Sequence, residues 1–192
     1  MTESNLPADV LALAEKVVAA NIAAGRKIAM AESCTGGMVT TALTEVAGSS
    51  ETVDSGFVTY SNEAKQRMLG VSIHIIETFG AVSAACAWAM AQGALKHSEA
   101  DVAVAISGIA GPGGGTAQKP VGLVVFARAE RGKSDIVAEE RLFADTGRAD
   151  IRRQAALVAL DLLMPSVAVA EEQVLRQGAA APCTPVTACV CA

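Results

Sequence analysis

The chain has 192 residues, of which 52% are hydrophobic, 18% are charged and only 3% are aromatic. This length allows one domain with a sizeable core, and this composition excludes a disordered chain. The net charge of -5 argues against a nucleic-acid-binding protein, because such proteins usually present a basic face. We therefore expect one globular domain with a core of Ala, Val, Ile and Leu.

The chain shows no sign of export or of membrane insertion. Residues 1–21 carry three acidic side chains and no basic segment ahead of an apolar one, unlike a signal peptide. Residues 79–95 carry no charge, but they are mostly Ala, Gly and Ser, whereas a spanning helix needs about 20 strongly apolar residues. Five cysteines, unevenly spaced, are typical of reduced thiols. We expect a cytoplasmic protein with no membrane partner.

Helices and strands alternate in the first half of the chain. Pro7 suits the first turn of an opening helix, and Gly25 suits its end. A short apolar strand follows, bounded by turn residues, and a later strand is rich in β-branched and aromatic residues. The predicted elements are a helix over 7–24, a strand over 27–32, a helix over 37–46, a strand over 53–60 and a helix over 62–69.

The second half continues this alternation and adds one hairpin. Apolar residues separated by alanines in residues 101–107 are typical of a central strand covered on both faces. The whole pattern predicts an α/β fold, a three-layer α/β/α sandwich with a mixed, mostly parallel sheet. The predicted elements are a helix over 83–96, a strand over 101–107, a glycine-rich loop over 108–119, paired strands over 121–129 and 136–143, and a helix over 150–164.

The composition changes at the end of the chain. We expect one domain over residues 1–164 and a tail over residues 165–192, rich in Ala, Pro and Thr. The tail holds Cys183, Cys189 and Cys191, but a structural zinc site needs four ligands in paired spacings, and no histidine lies nearby. We therefore expect a tail that is disordered or orders late, without a metal site.

Polar residues and glycines coincide at the ends of three predicted strands. Ser33 lies where a strand ends and a helix begins, and Thr35, Gly36 and Gly37 would present backbone N–H groups there. Such a helix terminus can bind a phosphate or stabilise the oxyanion of a carbonyl under attack. The alternative is that Ser33 caps the helix while the glycines form a turn. The three segments are residues 32–37, 59–65 and 107–115.

A nucleophilic serine needs a base. The two histidines, His74 and His97, have no obvious companion in the sequence. Lysine is the other known base when burial keeps it neutral near pH 7. Lys65 shares the inward face of its predicted helix with Met68 and Leu69. The alternative is a lysine that buries its stem and keeps its ammonium in water.

Neighbouring residues suggest further roles. Tyr60, the only tyrosine, could orient Lys65 or Ser33 by a hydrogen bond, or cover the core with its ring. Cys34 competes as a nucleophile, but adjacent residues point in different directions, which favours a small core cysteine. The glycine loop after Ser107 suits a phosphate or ribose, although it matches neither a Rossmann nor a Walker pattern.

Together these segments resemble the C-terminal domain of the competence/damage-inducible protein CinA, a family that includes stand-alone nicotinamide-nucleotide amidohydrolases. The family's larger nucleotide-hydrolysing N-terminal region is missing from this chain, so we expect the stand-alone form. The resemblance implies deamidation of nicotinamide mononucleotide to nicotinate mononucleotide and ammonia, with no metal or organic cofactor. It covers roughly residues 6–163 and rests on residues 32–37, 56–62, 65, 80–83, 108–115 and 119–122.

The resemblance also implies roles for individual residues. Ser33 matches the nucleophile, Lys65 the general base and Tyr60 an assisting hydroxyl. We add the hypothesis that the N–H groups around Thr35 and Gly36 hold the oxyanion. Ser107 stands where the family suggests threonine, which keeps the hydroxyl. The residues expected to bind substrate are Gly37, Asn62, Ser107, Gly111, Gly113, Gly114 and Arg148.

Several alternatives stay open from the sequence. Arg148 could instead form a surface ion pair at the beginning of a helix. The chain could be a non-catalytic nucleotide-binding or regulatory module, or a Ser/Lys hydrolase of another small amide or ester. A small-molecule nucleotide is the expected partner. The Ala-rich helices could pack within one subunit or between the subunits of a homo-oligomer.

Overall fold

Helices and strands alternate along the computed structural model, which describes residues 4–165. Each predicted element is present with ends within one or two residues, while the segment around His74 forms an additional helix that the sequence analysis missed. The predicted tail lies almost entirely outside the described residues. The elements are α1 Ala8–Ala23, β1 Ile28–Glu32, α2 Met38–Glu45, a 3-10 helix Ser49–Glu51, β2 Val53–Val58, α3 Asn62–Leu69, α4 Ile73–Phe79, α5 Ala84–Lys96, β3 Val102–Gly108, β4 Leu123–Glu130, β5 Val137–Leu142 and α6 Arg148–Leu162.

The five strands form one mixed sheet in the order β2-β1-β3-β4-β5. β1 pairs in parallel with β2 and with β3, whereas β4 is antiparallel to both of its neighbours. Four strands therefore share one direction and only β4 runs against them. This confirms the expected mixed, mostly parallel sheet, and β4 with β5 forms the predicted hairpin.

Alternating large and small residues determine how the helices pack on the two faces of the sheet. The large residues of β1 and β3 face a core with α1, α2 and α6, and the alanines between them face a second core dominated by α5. Because alanine is short, α5 packs close to the sheet. The large residues are Ile28, Met30, Val102, Val104 and Ile106; the alanines are Ala29, Ala31, Ala103 and Ala105.

The close packing extends from α5 to α3. A Cβ added at Gly93 of α5 would lie 2.1 Å from the carbonyl oxygen of Leu69, so only glycine fits there. Leu69 ends α3, the helix that carries Lys65. The position of that lysine is therefore coupled to the packing of α3 against α5.

The carboxyl ends of β1, β2 and β3 lie at one edge of the sheet, which is where α/β folds usually bind ligands. Ser33 follows β1, Tyr60 follows β2 by two residues, and Gly108 ends β3. The topology thus brings all three sequence motifs to this edge. Within residues 4–165, no helix is long and apolar enough to cross a membrane.

Candidate active site

Ser33 and Lys65 contact each other inside the protein, at the carboxyl ends of β1, β2 and β3. The N–H of Ser33 donates to the Ile106 carbonyl at 2.9 Å, which fixes the serine beside β3. The Lys65 Nζ lies 3.1 Å from the Ser33 Oγ and donates to the Thr59 carbonyl at 2.9 Å. Lys65 is only 2% exposed, so the solvent-exposed ammonium considered from the sequence is not found. Burial lowers the pKa of Lys65, because desolvation disfavours the ammonium.

Caps at both ends hold the short helix that presents Lys65. The Ser61 Oγ accepts a hydrogen bond from the N–H of Ala64 at 3.0 Å, which satisfies one free donor of the first turn. Gly70 ends the helix in the left-handed region, at φ 69°. The Lys65 carbonyl also accepts from the N–H of Val71 at 3.2 Å. α3 is therefore held at both ends, which fixes the position of Lys65.

A buried carboxylate caps the N-terminus of α2. Glu32, fully buried at the end of β1, accepts hydrogen bonds from the N–H groups of Gly37 at 2.9 Å, Val39 at 3.2 Å and Thr40 at 2.8 Å. The hydroxyl of Thr40 donates to the same carboxylate at 2.7 Å. The chain's own carboxylate therefore occupies the N-terminus of α2, where the sequence allowed a phosphate, and it leaves the N–H groups of Thr35 and Gly36 unbound by it.

The Glu32 cap changes which N–H groups are available beside Ser33. The N–H of Gly37 is bound to Glu32, and the N–H of Gly36 donates to the Ser33 carbonyl at 3.1 Å within the turn. The N–H of Thr35 has no acceptor among residues 4–165. Of the three residues expected to present N–H groups, Thr35 is the one whose donor is available.

Arg148 connects two of the motifs. Its Nη1 donates to the Gly111 carbonyl and its Nη2 donates to the Tyr60 hydroxyl, both at 2.7 Å. The expected hydrogen bond from Tyr60 to Lys65 or Ser33 is therefore replaced by one from Arg148. Tyr60 is 59% exposed, so its ring does not cover the core either. Arg148 bridges the glycine loop and the end of β2 rather than forming the surface ion pair that the sequence left open.

The remaining expected substrate-binding residues differ in burial. Ser107 is 1% exposed, and its hydroxyl donates to the Ala81 carbonyl at 2.7 Å, so it holds the loop before α5. Gly113 and Gly114 lie on the exposed part of the glycine loop, and Asn62 is exposed in the first turn of α3. Ser107 is thus committed to a protein contact, whereas the other three residues are accessible.

Three charged side chains to which the sequence assigned no role hold these loops. One feature of the sequence could have indicated a structural role for Glu32: it is the only charged residue of a short apolar strand, and it stands at the end of that strand. Arg152 follows Arg148 by four residues, and its Nη2 donates to the Thr35 carbonyl at 2.7 Å. The Lys119 Nζ donates to the carbonyls of Phe79 and Val82 at 2.7 and 2.6 Å. Side-chain bonds to distant carbonyls carry no sequence signal.

The neighbouring thiol is poorly suited to nucleophilic attack. Cys34 is 5% exposed, and burial raises the pKa of its thiol to about 11. The thiol is therefore protonated near neutral pH, and a thiol is a much weaker nucleophile than a thiolate. No group of three or more potential metal-ligating side chains occurs within residues 4–165. Cys183, Cys189 and Cys191 lie outside the described residues.

Comparison with known proteins adds a family assignment. A model of the CinA C-terminal domain matches residues 10–167. The nicotinamide-nucleotide amidohydrolase PncC of Escherichia coli K12 is 48% identical over 163 residues, which cover 85% of this chain and 95% of that protein. A CinA-like protein of Mycolicibacterium vanbaalenii is 54% identical over 144 residues, 75% of this chain and 34% of that protein. The chain therefore matches only about a third of this longer relative.

A solved structure agrees with the fold. The competence/damage inducible protein CihA from Agrobacterium tumefaciens superposes with a TM-score of 0.81 and 47% sequence identity. The match covers 87% of this chain and 99% of that one. The likeness therefore extends over most of the chain.

Proposed function

The chain belongs to the CinA C-terminal domain family, and we propose that it is an amidohydrolase that converts nicotinamide mononucleotide to nicotinate mononucleotide and ammonia. The PncC relatives support this proposal, because they carry the name nicotinamide-nucleotide amidohydrolase and match over most of their length. The observation that carries it is the 3.1 Å approach of the Lys65 Nζ to the Ser33 Oγ in a buried site.

The reaction begins with proton transfer between these two atoms. Neutral Lys65 takes the proton of the Ser33 hydroxyl while the Oγ attacks the carboxamide carbon. The carbonyl oxygen becomes an oxyanion, and the available N–H of Thr35 is the donor that best fits it. Gly36, also expected to donate, would have to give up its hydrogen bond to the Ser33 carbonyl.

The second half of the reaction uses the same two residues. The ammonium of Lys65 gives its proton to the leaving nitrogen, the C–N bond breaks, and ammonia departs, which leaves a nicotinoyl ester on the Ser33 Oγ. Water then attacks this ester while Lys65 takes its proton, and that proton passes to the Ser33 Oγ as the ester C–O bond breaks and the carboxylic acid leaves. The Thr59 carbonyl accepts from the Nζ at 2.9 Å and keeps the amine aligned.

The exposed end of the site is suited to the rest of the nucleotide. Arg148 uses only part of its guanidinium to bind Gly111 and Tyr60, and it is exposed beside the glycine loop. We assign to it the phosphate of the substrate, with Gly113 and Gly114 close to the phosphate or ribose. Tyr60 assists by orienting this guanidinium.

The buried lysine weighs against one of the other functions considered, a nucleotide-binding module without catalysis. A nucleotide-binding module without catalysis would tolerate a solvated, charged lysine, whereas Lys65 is 2% exposed with a lowered pKa. Hydrolysis of another small amide would use the same Ser33 and Lys65 and would differ only in the pocket that binds the substrate.

A cytoplasmic location, a homo-oligomeric state and the lack of nucleic-acid binding stay predictions.

The test is ammonia release from nicotinamide mononucleotide and from a panel of other small amides. We expect Ser33→Ala and Lys65→Met each to lose at least about 10³-fold in kcat, with the double variant no worse, because the two act as one unit. Lys96→Met removes an exposed lysine from the end of α5 and is the matched control. A native protein that releases no ammonia from the mononucleotide would refute the proposed activity.

The same assay decides the identity of the nucleophile. Cys34→Ala should stay active, because the buried thiol is protonated near neutral pH. If Ser33→Ala kept its activity while Cys34→Ala lost it, the thiol would be the nucleophile and the mechanism above would be wrong.

A further inference from the structure

The turn that contains Ser33 is held by a side chain from a distant helix. The Arg152 Nη2 of α6 donates to the Thr35 carbonyl at 2.7 Å across 117 residues of sequence. A Cβ added at Gly36 would lie 3.6 Å from the same Nη2, so the guanidinium rests against the turn. The core fixes this approach, since the adjacent Ile151 and the following Ala155 are both fully buried.

This turn has two backbone hydrogen bonds of its own, from the N–H of Gly36 to the Ser33 carbonyl at 3.1 Å and from the N–H of Met38 to the Thr35 carbonyl at 3.3 Å, and two side chains add to them. Gly36 and Gly37 follow each other with φ values of 61° and 92°, so the backbone after Thr35 consists of two residues with wide conformational freedom. Glu32 holds the turn at its end, through the N–H of Gly37. Arg152 holds it in the middle, at the peptide group directly after Thr35. Between them these two side chains restrict the residue whose N–H is available beside Ser33.

Arg152 and its neighbour Arg153 differ in their charge partners. Arg153 pairs with Asp9 and Asp150, as is usual for a surface arginine. Arg152 has no such ion pair among residues 4–165, and its buried Nε has no hydrogen-bond partner there. The negative charge of the buried Glu32 and the positive charge of Arg152 both act on the Cys34 thiol, directly beside Ser33, and the Glu32 charge has the larger effect on its pKa. Because a site that develops negative charge during reaction is disfavoured by a nearby carboxylate, a cation that offsets Glu32 favours the reaction.

We propose that Arg152 is a positioning residue for this active site. It holds the Thr35 carbonyl so that the N–H of Thr35 points to the oxyanion, and it adds positive charge to that side of Ser33. This inference rests on the proposed function for its assignment to amide hydrolysis. It concerns the transition state rather than substrate affinity, and it therefore predicts an effect on kcat rather than on KM.

The test compares Arg152→Met and Arg152→Lys with Arg153→Met, which removes an arginine from the same helix without touching the turn. We expect Arg152→Met to lower kcat about 10- to 100-fold while KM changes less than about threefold. Arg152→Lys should recover part of the loss, and Arg153→Met should keep the native kcat. Thermal unfolding of all three variants separates an effect on the site from a loss of fold.

A second readout does not depend on the substrate. A fluorophosphonate probe reacts with an activated serine: the bond from Oγ to phosphorus forms, fluoride leaves, and the hydroxyl proton goes to Lys65. Arg152→Met should slow the labelling of Ser33 in parallel with kcat, and Arg152→Lys should be intermediate. If the native protein is labelled but releases no ammonia from the mononucleotide, the proposed function fails while the role of Arg152 is still measured.

Two results would overturn the role of Arg152. One is a labelling rate and a kcat of Arg152→Met within about twofold of the native values. The other is a raised KM with an unchanged kcat, which would make Arg152 a residue that binds substrate in the ground state.

Discussion

The Nζ of Lys65 lies 3.1 Å from the Oγ of Ser33, although 32 residues separate them in the chain. Ser33 follows β1 and Lys65 lies on α3, so the pair forms only when the sheet and the helix pack together. Both residues are buried. Burial disfavours the positive charge that the Lys65 amine ordinarily carries. A neutral amine beside a serine hydroxyl is the condition for proton transfer from serine to lysine.

The first prediction concerns the pH dependence of activity. In the proposed mechanism only neutral Lys65 accepts the Ser33 proton, and burial lowers the pKa of this lysine from 10.5. The value of kcat/KM should therefore rise with pH and level off below pH 10.5, with the midpoint at the pKa of Lys65 in the free protein. A midpoint at or above 10.5 would contradict the role of Lys65 as a desolvated base.

The same lowered pKa affects stability. Between the folded pKa of Lys65 and 10.5, the unfolded chain binds a proton that the folded chain does not. The free energy of unfolding should therefore gain a positive slope with pH in that window. Lys65→Met lacks this titration, so the free energy of unfolding of the native protein should rise relative to that of the variant as pH rises through the window.

The second prediction concerns Arg148. Arg148→Met should raise KM for nicotinamide mononucleotide at least about tenfold, because a guanidinium–phosphate contact is a strong, charge-assisted interaction. The KM for the nucleoside without phosphate should change much less.

Tyr60→Phe should raise KM for the mononucleotide less than Arg148→Met does. The two effects should not add fully, since Tyr60 acts through the Arg148 guanidinium. Arg67→Met, at an exposed position of α3, serves as the control. Equal effects on nucleotide and nucleoside would refute the phosphate assignment.

The third prediction concerns the buried cap of α2. Glu32→Ala leaves three backbone N–H groups without their acceptor, and we expect the free energy of unfolding to fall by about 2 kcal/mol or more. Thr40→Val removes only the hydroxyl bond and should cost about 1 kcal/mol. Denaturant unfolding measures both variants. If Glu32→Ala were as stable as the native protein, the carboxylate would not be an essential cap.

The fourth prediction concerns the contact between α3 and α5. Gly93→Ala places a Cβ 2.1 Å from the Leu69 carbonyl oxygen, so the two helices must separate, at a cost of about 2 kcal/mol or more. Activity should fall as well, because α3 carries Lys65. Gly113→Ala meets no atom within 4 Å and should leave the thermal unfolding temperature unchanged. A variant Gly93→Ala with native stability would mean that the helices shift without cost.

Local patterns were sufficient to predict most elements. The alternation of valine or isoleucine with alanine in residues 102–106 indicated a strand covered on both faces, and the structure confirms that these residues are buried on both sides. Helix α4 was missed because its core contact is narrow: among its residues only Ile76 is buried. A helix with so small a buried face leaves almost no periodic signal.

The sequence by itself predicted the order of the elements, the mixed sheet and Ser33 and Lys65 as candidates for one site. The elements follow from periodicity and turn chemistry, which act between residues close in the chain, whereas the roles of Ser33 and Lys65 rest on the family resemblance. Tertiary structure alone decided which partners those residues have. Tyr60 is bound by Arg148 across 88 residues and Thr35 by Arg152 across 117, because packing α6 beside the turn sets where both guanidiniums point.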